Sequence, residues 1–398
     1  MKKLFMLMCL PLLMAGCSKD NDDIDPGDPE IPGENASDYV EFKGGMQHMT
    51  RFIMNDDSIY DAILYAWCKF PYEAEVKMAL GVTREVKTDL MYYTYSFLRG
   101  VDPDYVTMSR NHDDPSVWNY TSKLKWTDPL SKDGLSFLAV CGTDDKEVYL
   151  SQITSRHRLV RSKNCIDYDA MNGEYTYSSG HLSDVMVAYA LDCRPADYKD
   201  SVGYKEVELN FNHIFPRLTL NAKLEDNCNS LDVEVAEAYI FGLQLNGWHN
   251  IESGKSLGQD WTSSDNLNTY IQMDLSQPKK LGYEYSALVD EGCEPHVLPQ
   301  KVKSWTSFAN HNGAGILLKA RIKNLNDNSW IAGDSEGYEL VYSEFPFDEL
   351  KMGKIYDINL IFGPQYRENG HTFSYRLSYQ PTIVDWNEES ENVELYRK

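Results

Sequence analysis

Basic residues are scarce in this chain: 38 Lys and Arg stand against 61 Asp and Glu, a formal charge of −23 over 398 residues. Phosphate recognition needs a concentration of Lys and Arg, so the deficit argues against a nucleic-acid partner and suits a solvated surface protein. Long hydrophobic runs are missing too. The apolar stretch from Leu4 to Met14 is too short to cross a bilayer as a mature helix. No C-x-x-C pair, H-E-x-x-H helix, Walker A loop, G-x-G-x-x-G or G-x-S-x-G occurs, and no EF-hand spacing is found. These absences leave no catalytic residue, metal ligand set or cofactor site to expect. Acid pairs such as Asp56-Asp57 and Asp144-Asp145 are what so acidic a chain gives by chance. Helical periodicity is rare beyond residue 38, and no internal repeat of fixed period is present.

What is present begins with an address. Lys2 and Lys3, the apolar run to Met14 and the small pair Ala15-Gly16 form the three parts of a secretory signal peptide over residues 1–16. Because Cys17 follows directly, the site resembles a bacterial lipobox, which implies cleavage before Cys17 and a lipid on its sulfur. Ser18 to Asp23 is polar and mostly acidic, resembling the export signal that certain gram-negative anaerobes use to place lipoproteins on the outer face of the outer membrane. Residues 17–38 continue with Pro26, Gly27, Pro29, Pro32 and Gly33, a composition that cannot bury enough apolar surface to fold, so they read as a tether.

Beyond the tether the signal is two-residue alternation. Val207, Leu209, Phe211 and His213 share one side of a strand, and Glu206, Glu208, Asn210 and Asn212 the other. Leu218 to Leu224, Tyr356 to Phe362 and Phe373 to Tyr379 repeat the pattern, and Asn369-Gly370 marks a turn before the last. Weaker strands are read at 39–42, 62–67, 89–97, 135–141 and 185–191. One-faced strands need a second apolar face, so the expected fold is all-β, two tandem antiparallel β-sandwiches over 39–200 and 201–398, divided at the polar stretch from Arg194 to Gly203. His213, on an apolar face, reads as a hydrogen-bonded core histidine. Six cysteines of the mature chain (Cys68, Cys141, Cys165, Cys193, Cys228, Cys293) permit disulfides without fixing a pairing.

Several segments together resemble the fimbrillin family, the lipoprotein subunits of type V pili. Val207-x-Leu-x-Phe211-x-His213, with Arg217-Leu218 after it, resembles the family's strand ending in F-x-H followed by a basic residue. Trp126 with Leu135 to Ala139 resembles its tryptophan and F-x-A strand, although Thr127 stands where the family has proline. Ser183 to Ala188, Leu298-Pro299-Gln300 and Val384-Asp385-Trp386 resemble further family segments in the same order. The resemblance implies transthyretin-like sandwiches, no cofactor, and assembly of a fimbrium by strand exchange between pilus subunits. In that scheme a removable first strand, Tyr39-Val40-Glu41-Phe42, is released by an arginine-specific protease between Arg51 and Phe52. A donor strand from the carboxyl end, drawn from Thr382, Ile383, Val384 and Trp386 or from Val393 and Leu395, then fills a neighbour's groove.

A second reading is a monomeric glycan-binding lipoprotein at the cell surface. It expects exposed, coplanar rings among Trp118, Trp126, Trp248, Trp261, Trp305, Trp330 and Trp386, although tryptophan is also a usual filler of sandwich cores.

Overall fold

The computed structural model describes residues 38–44, 61–71, 92–96 and, apart from short gaps, 105–385. Residues 1–37, 45–60, 72–91, 97–104 and 386–398 lie outside the described part. The described chain is almost entirely strand, and the all-β, sandwich-like expectation holds.

The first sheet runs β12 (Val207–Glu208), β1 (Phe42–Lys43), β5 (Val117–Tyr120), β4 (Val106–Arg110), β2 (Asp61–Pro71), β6 (Leu135–Cys141), β11 (Met186–Cys193) and β13 (Asn212–His213), with β3 (Tyr92–Ser96) also paired to β2. Its two edge strands, β12 and β13, are neighbours in sequence, so a single stretch of chain borders the sheet on both sides. An edge strand would otherwise present unpaired backbone groups. In β6 all 7 side chains are buried, because both faces of the sheet are covered. Leu135, Phe137, Ala139 and Cys141 join one core with Phe42, Met108 and Phe211. Leu138 and Val140 join another, with Trp67, Leu159, Phe215 and Leu298.

Leu159 and Val148 of that second core come from a four-stranded sheet of β17 (Thr262–Ser263), β16 (Gly247–Asn250), β8 (Arg156–Arg161) and β7 (Val148–Ile153). The carboxyl half forms a sandwich. One layer is β23 (Trp330–Ala332), β22 (Gly315–Asn324), β15 (Leu231–Phe241), β18 (Thr269–Met273), β10 (Glu174–Ser178) and β9 (Asp167–Asp169), with β19 (Lys279–Lys280) on β15 and β24 (Glu339–Glu344) on β22. The other is β20 (Ser286–Ala287), β14 (Arg217–Leu224), β26 (Lys354–Tyr366) and β27 (Thr372–Tyr379), with β28 (Thr382–Asp385) on β26. A small ribbon pairs β21 (Gln300–Lys301) with β25 (Glu349–Leu350).

The alternation of β14 and β26 is realised as read: Leu218, Leu220 and Ala222 meet Tyr356, Ile358, Leu360 and Phe362 in one core. In β15 a bulge between Val235 and Glu237 shifts the phase, so that Val233 and Val235 point inward before it and Ala238 and Ile240 after it. Alternation does not encode strand direction, and among the described residues three pairings are parallel where sequence reading expected antiparallel neighbours: β1 with β12, β10 with β18, and β14 with β26. Sequence-distant strands have no hairpin to impose opposite directions. The halves also interleave. Residues 207–213 lie beyond the expected division at 200 yet pair in the first sheet, whereas β9 and β10 lie before it and pair in the carboxyl sandwich.

Where the sheets meet, Asp184, His213, Arg217 and His296 form part of a buried polar cluster. His213 Nδ1 lies 2.9 Å from Asp184 Oδ1, which satisfies the hydrogen-bonded histidine read from the pattern. His296 Nδ1 lies 2.8 Å from the Leu182 carbonyl oxygen. Arg161 reaches Glu147 at 3.4 Å and lies over the Phe215 ring at 4.1 Å. Burial alone would raise the Asp184 carboxyl, but His213, His296 and Arg217 outweigh it and hold the group below its usual value. Cys141, Cys193, Cys228 and Cys293 are free thiols, and no disulfide joins them.

Burial pulls the His296 imidazole down to about 4; the Asp184 carboxylate and the Leu182 carbonyl oppose this shift, and Arg217 and Arg161 add to it. A histidine whose folded pKa lies below its unfolded value of about 6.5 leaves stability intact above that pH. Stability is lost as pH falls from there toward 4, because the unfolded chain takes up the proton first. The depressed Asp184 carboxyl adds its own loss only below about pH 4. The urea midpoint should therefore drop between pH 7 and pH 5, by the equivalent of up to about 2 kcal/mol. His296→Gln should flatten that slope, and an unchanged slope would assign the effect elsewhere.

Candidate functional site

Residues 38–44 form one extended segment with backbone partners on both sides. On one side Val207 N–H donates to the Glu41 carbonyl at 2.7 Å and Leu209 N–H to the Lys43 carbonyl at 2.8 Å, with Phe42 beside Val207 in parallel register. On the other, Val40 N–H donates to Leu124 at 2.8 Å, Trp126 N–H to Asp38 at 2.9 Å and Gly44 N–H to Ser116 at 2.8 Å. Here Phe42 stands opposite Trp118 in antiparallel register. The segment is thus wedged between β12 and β5, and the sheet would be open between them without it.

Side chains alternate as a groove-filling strand requires. Val40 and Phe42 are both 0% exposed, whereas Glu41 and Lys43 face solvent. The Phe42 ring sits edge-on to Tyr120 at 5.3 Å and to Phe137 at 5.0 Å. Burial of these two side chains stabilises the segment by about 1.5–3 kcal/mol each. The Tyr120 hydroxyl donates to the Val40 carbonyl at 2.8 Å and accepts from Leu124 N–H at 3.1 Å. Burial, seconded by the Glu41 charge and only partly opposed by the Leu124 hydrogen bond, pushes this phenol above its ordinary range, so it keeps its proton and its donor role. The Trp118 indole N–H donates to the Gly44 carbonyl at 3.3 Å. Tyr39 makes an isolated bridge with Lys125, whose ammonium lies 5.1 Å from the Tyr39 ring centre.

Other expected site residues are placed differently. Thr382, Ile383 and Val384 belong to β28, paired antiparallel with Asp357, Tyr356 and Ile355 of β26. Ile383 lies on the same side of the sheet as the buried Tyr356 yet is 47% exposed. Cys17, the Arg51-Phe52 bond, and Trp386, Val393 and Leu395 lie outside the described residues. Trp118 and Trp126 are core residues, with Trp126 stacked on Tyr198 at 5.0 Å and Tyr204 at 5.8 Å. Trp248, Trp261 and Trp305 are partly buried, and Trp330 is exposed with Lys323 over its ring. No exposed coplanar set of tryptophans forms among the described residues.

The groove walls were not legible as such. Leu124 and Tyr120 gave no strand signal of their own, and residues 207–213 read as one half-buried strand of the second unit. In the structure Val207, Leu209 and Phe211 are all 0% exposed and belong to the first core. The apolar continuation into Ile214-Phe215, which ends the alternation, was the available hint that this stretch changes partners.

No family model matches this sequence, and no curated protein does. Solved structures of similar fold include a fimbrial protein from Bacteroides vulgatus, at 10% identity and a TM-score of 0.48, covering 87% of this chain and 99% of that one. A putative cell adhesion protein from Parabacteroides distasonis aligns at 12% identity and a TM-score of 0.42, over 88% of this chain and 99% of that one. The fimbrial anchor protein Mfa2 from Porphyromonas gingivalis aligns at 11% identity and a TM-score of 0.32, over 87% of this chain and 97% of that one. At these identities each is a likeness of architecture.

Proposed function

We propose that this chain is a structural or adhesive subunit of a cell-surface fimbrium, exported as an outer-membrane lipoprotein through Cys17, processed between Arg51 and Phe52 and joined to other pilus subunits by strand exchange. The observation that carries the reading is the wedge of residues 38–44, bonded on both sides and filling the core through Val40 and Phe42. Its link to the rest of the first sheet, between Gly44 and Asp61, contains Arg51. Cleavage there leaves the wedge held by non-covalent contacts alone. An empty groove exposes unpaired donors and acceptors together with an apolar floor, a costly state in water that an incoming strand relieves on both counts. The names of the structural neighbours, fimbrial and cell adhesion proteins, are of this same class.

The carboxyl segment is the donor in this reading. β28 sits at a sheet edge with Ile383 half exposed, and Val393 and Leu395 alternate with Glu394 and Tyr396 beyond it. The glycan-binding alternative has less support, since the described tryptophans are mostly core or junction residues.

Two outcomes are expected on cells. Arg51→Ala should leave the amino-terminal strand attached and abolish fibres seen by electron microscopy, while the protein still reaches the surface; normal fibres would reject Arg51 as the processing point. Deleting residues 382–398 should give a chain that retains a cooperative unfolding transition but does not extend a fibre. Loss of that transition would make the carboxyl segment a fixed part of the sandwich.

A further inference from the structure

The groove is closed at one end, and the closure restricts what can fill it. As the chain passes from β12 toward β13 it lies directly against Gly44. A Cβ at residue 44 would stand 2.7 Å from the carbonyl carbon and 3.0 Å from the nitrogen of Leu209, and closer still to its carbonyl oxygen. Leu209 has little freedom to retreat: its N–H is bonded to the Lys43 carbonyl at 2.8 Å and its side chain is 0% exposed. Gly44 is not among the residues of positive φ, so the demand here is for space rather than for a left-handed backbone. Positions 40 and 42 therefore accept side chains, and position 44 accepts none.

We infer that the strand replacing residues 38–44 has the pattern apolar-x-aromatic-x-glycine, runs parallel to residues 207–209, and comes from a different protein rather than from the carboxyl tail of a second copy of this chain. This rests on the strand-exchange reading above. The carboxyl segment offers three registers with β-branched or apolar residues in both pockets: Thr382 with Val384, Val384 with Trp386, and Val393 with Leu395. They bring Trp386, Glu388 and Arg397, respectively, to the position of Gly44. Residues 371–398 contain no glycine, so no register of that segment avoids the clash. A built-in clash against the chain's own tail is discrimination by exclusion, and it makes the processed subunit a partner for unlike subunits rather than a homopolymer.

The mature chain, residues 17–398, would be treated with an arginine-specific protease and offered four labelled peptides in excess, with binding followed by fluorescence anisotropy. These are residues 36–46, the same peptide with Gly44→Ala, residues 388–398, and that last peptide with Arg397→Gly. The native peptide and the Arg397→Gly tail should bind, and the Gly44→Ala peptide and the native tail should bind more weakly by about tenfold or more. Equal binding of the native tail, or of the Gly44→Ala peptide, would overturn the inference while leaving strand exchange intact. If no peptide binds, residues 36–46 included, the first strand is not exchangeable and the reading beneath the inference fails with it.

Discussion

The architecture depends on the backbone bonds that residues 38–44 make to two strands that do not pair with each other. A β-sheet leaves donors and acceptors exposed wherever it ends, and this one nearly avoids ends because residues 207–213 border it at both edges. The amino-terminal segment supplies the missing strand between β12 and β5. Phe42 then completes a core whose other members include Phe137, Met108 and Phe211, from three separate parts of the chain. A short segment with few covalent constraints thus controls both the continuity of a sheet and the filling of a core.

The same economy appears at the junction. The first sheet is covered on both faces, and its second face packs on Phe215, Ile251 and Leu298, contributed by the carboxyl half of the sequence. Asp184, His213, Arg217 and His296 gather at that meeting place, where the three basic side chains hold the Asp184 carboxyl below its usual value and burial pulls the His296 imidazole down. The segments through which the sequence resembles fimbrillins lie largely here: Leu298 is in the core and the Gln300 amide donates to the carbonyls of Gln244 at 3.0 Å and Leu298 at 2.9 Å. Those motifs join sheets, whereas Val207, Leu209 and Trp126 of the other motifs bond directly to residues 38–44 and Tyr120 and Leu124, outside any motif, complete the groove.

Much of the fold was legible. Alternation in β14 and β26 named the inward residues correctly because a single buried face imposes a period of two and the residues alone reveal it. The continuous apolar run of β6 was legible as a strand but not as a strand buried twice, since nothing in it says what covers the second face. Val40 and Phe42 were legible as an inward pair for the same reason as β14. Their partners were not, because a parallel neighbour some 165 residues away, estimated from the Phe42 and Val207 positions, leaves no local mark on either segment.

By itself the sequence determined the period of each strand, the excess of acidic residues and the set of side chains able to enter a core, since these follow from residue chemistry and spacing of two. Only the tertiary structure decided which strands lie together, that three of those pairs run parallel, and that one glycine must sit against the Leu209 backbone. Pairing is settled by the cooperative closing of long-range contacts, and steric exclusion at a single atom exists only once two remote pieces of chain have been brought into touch.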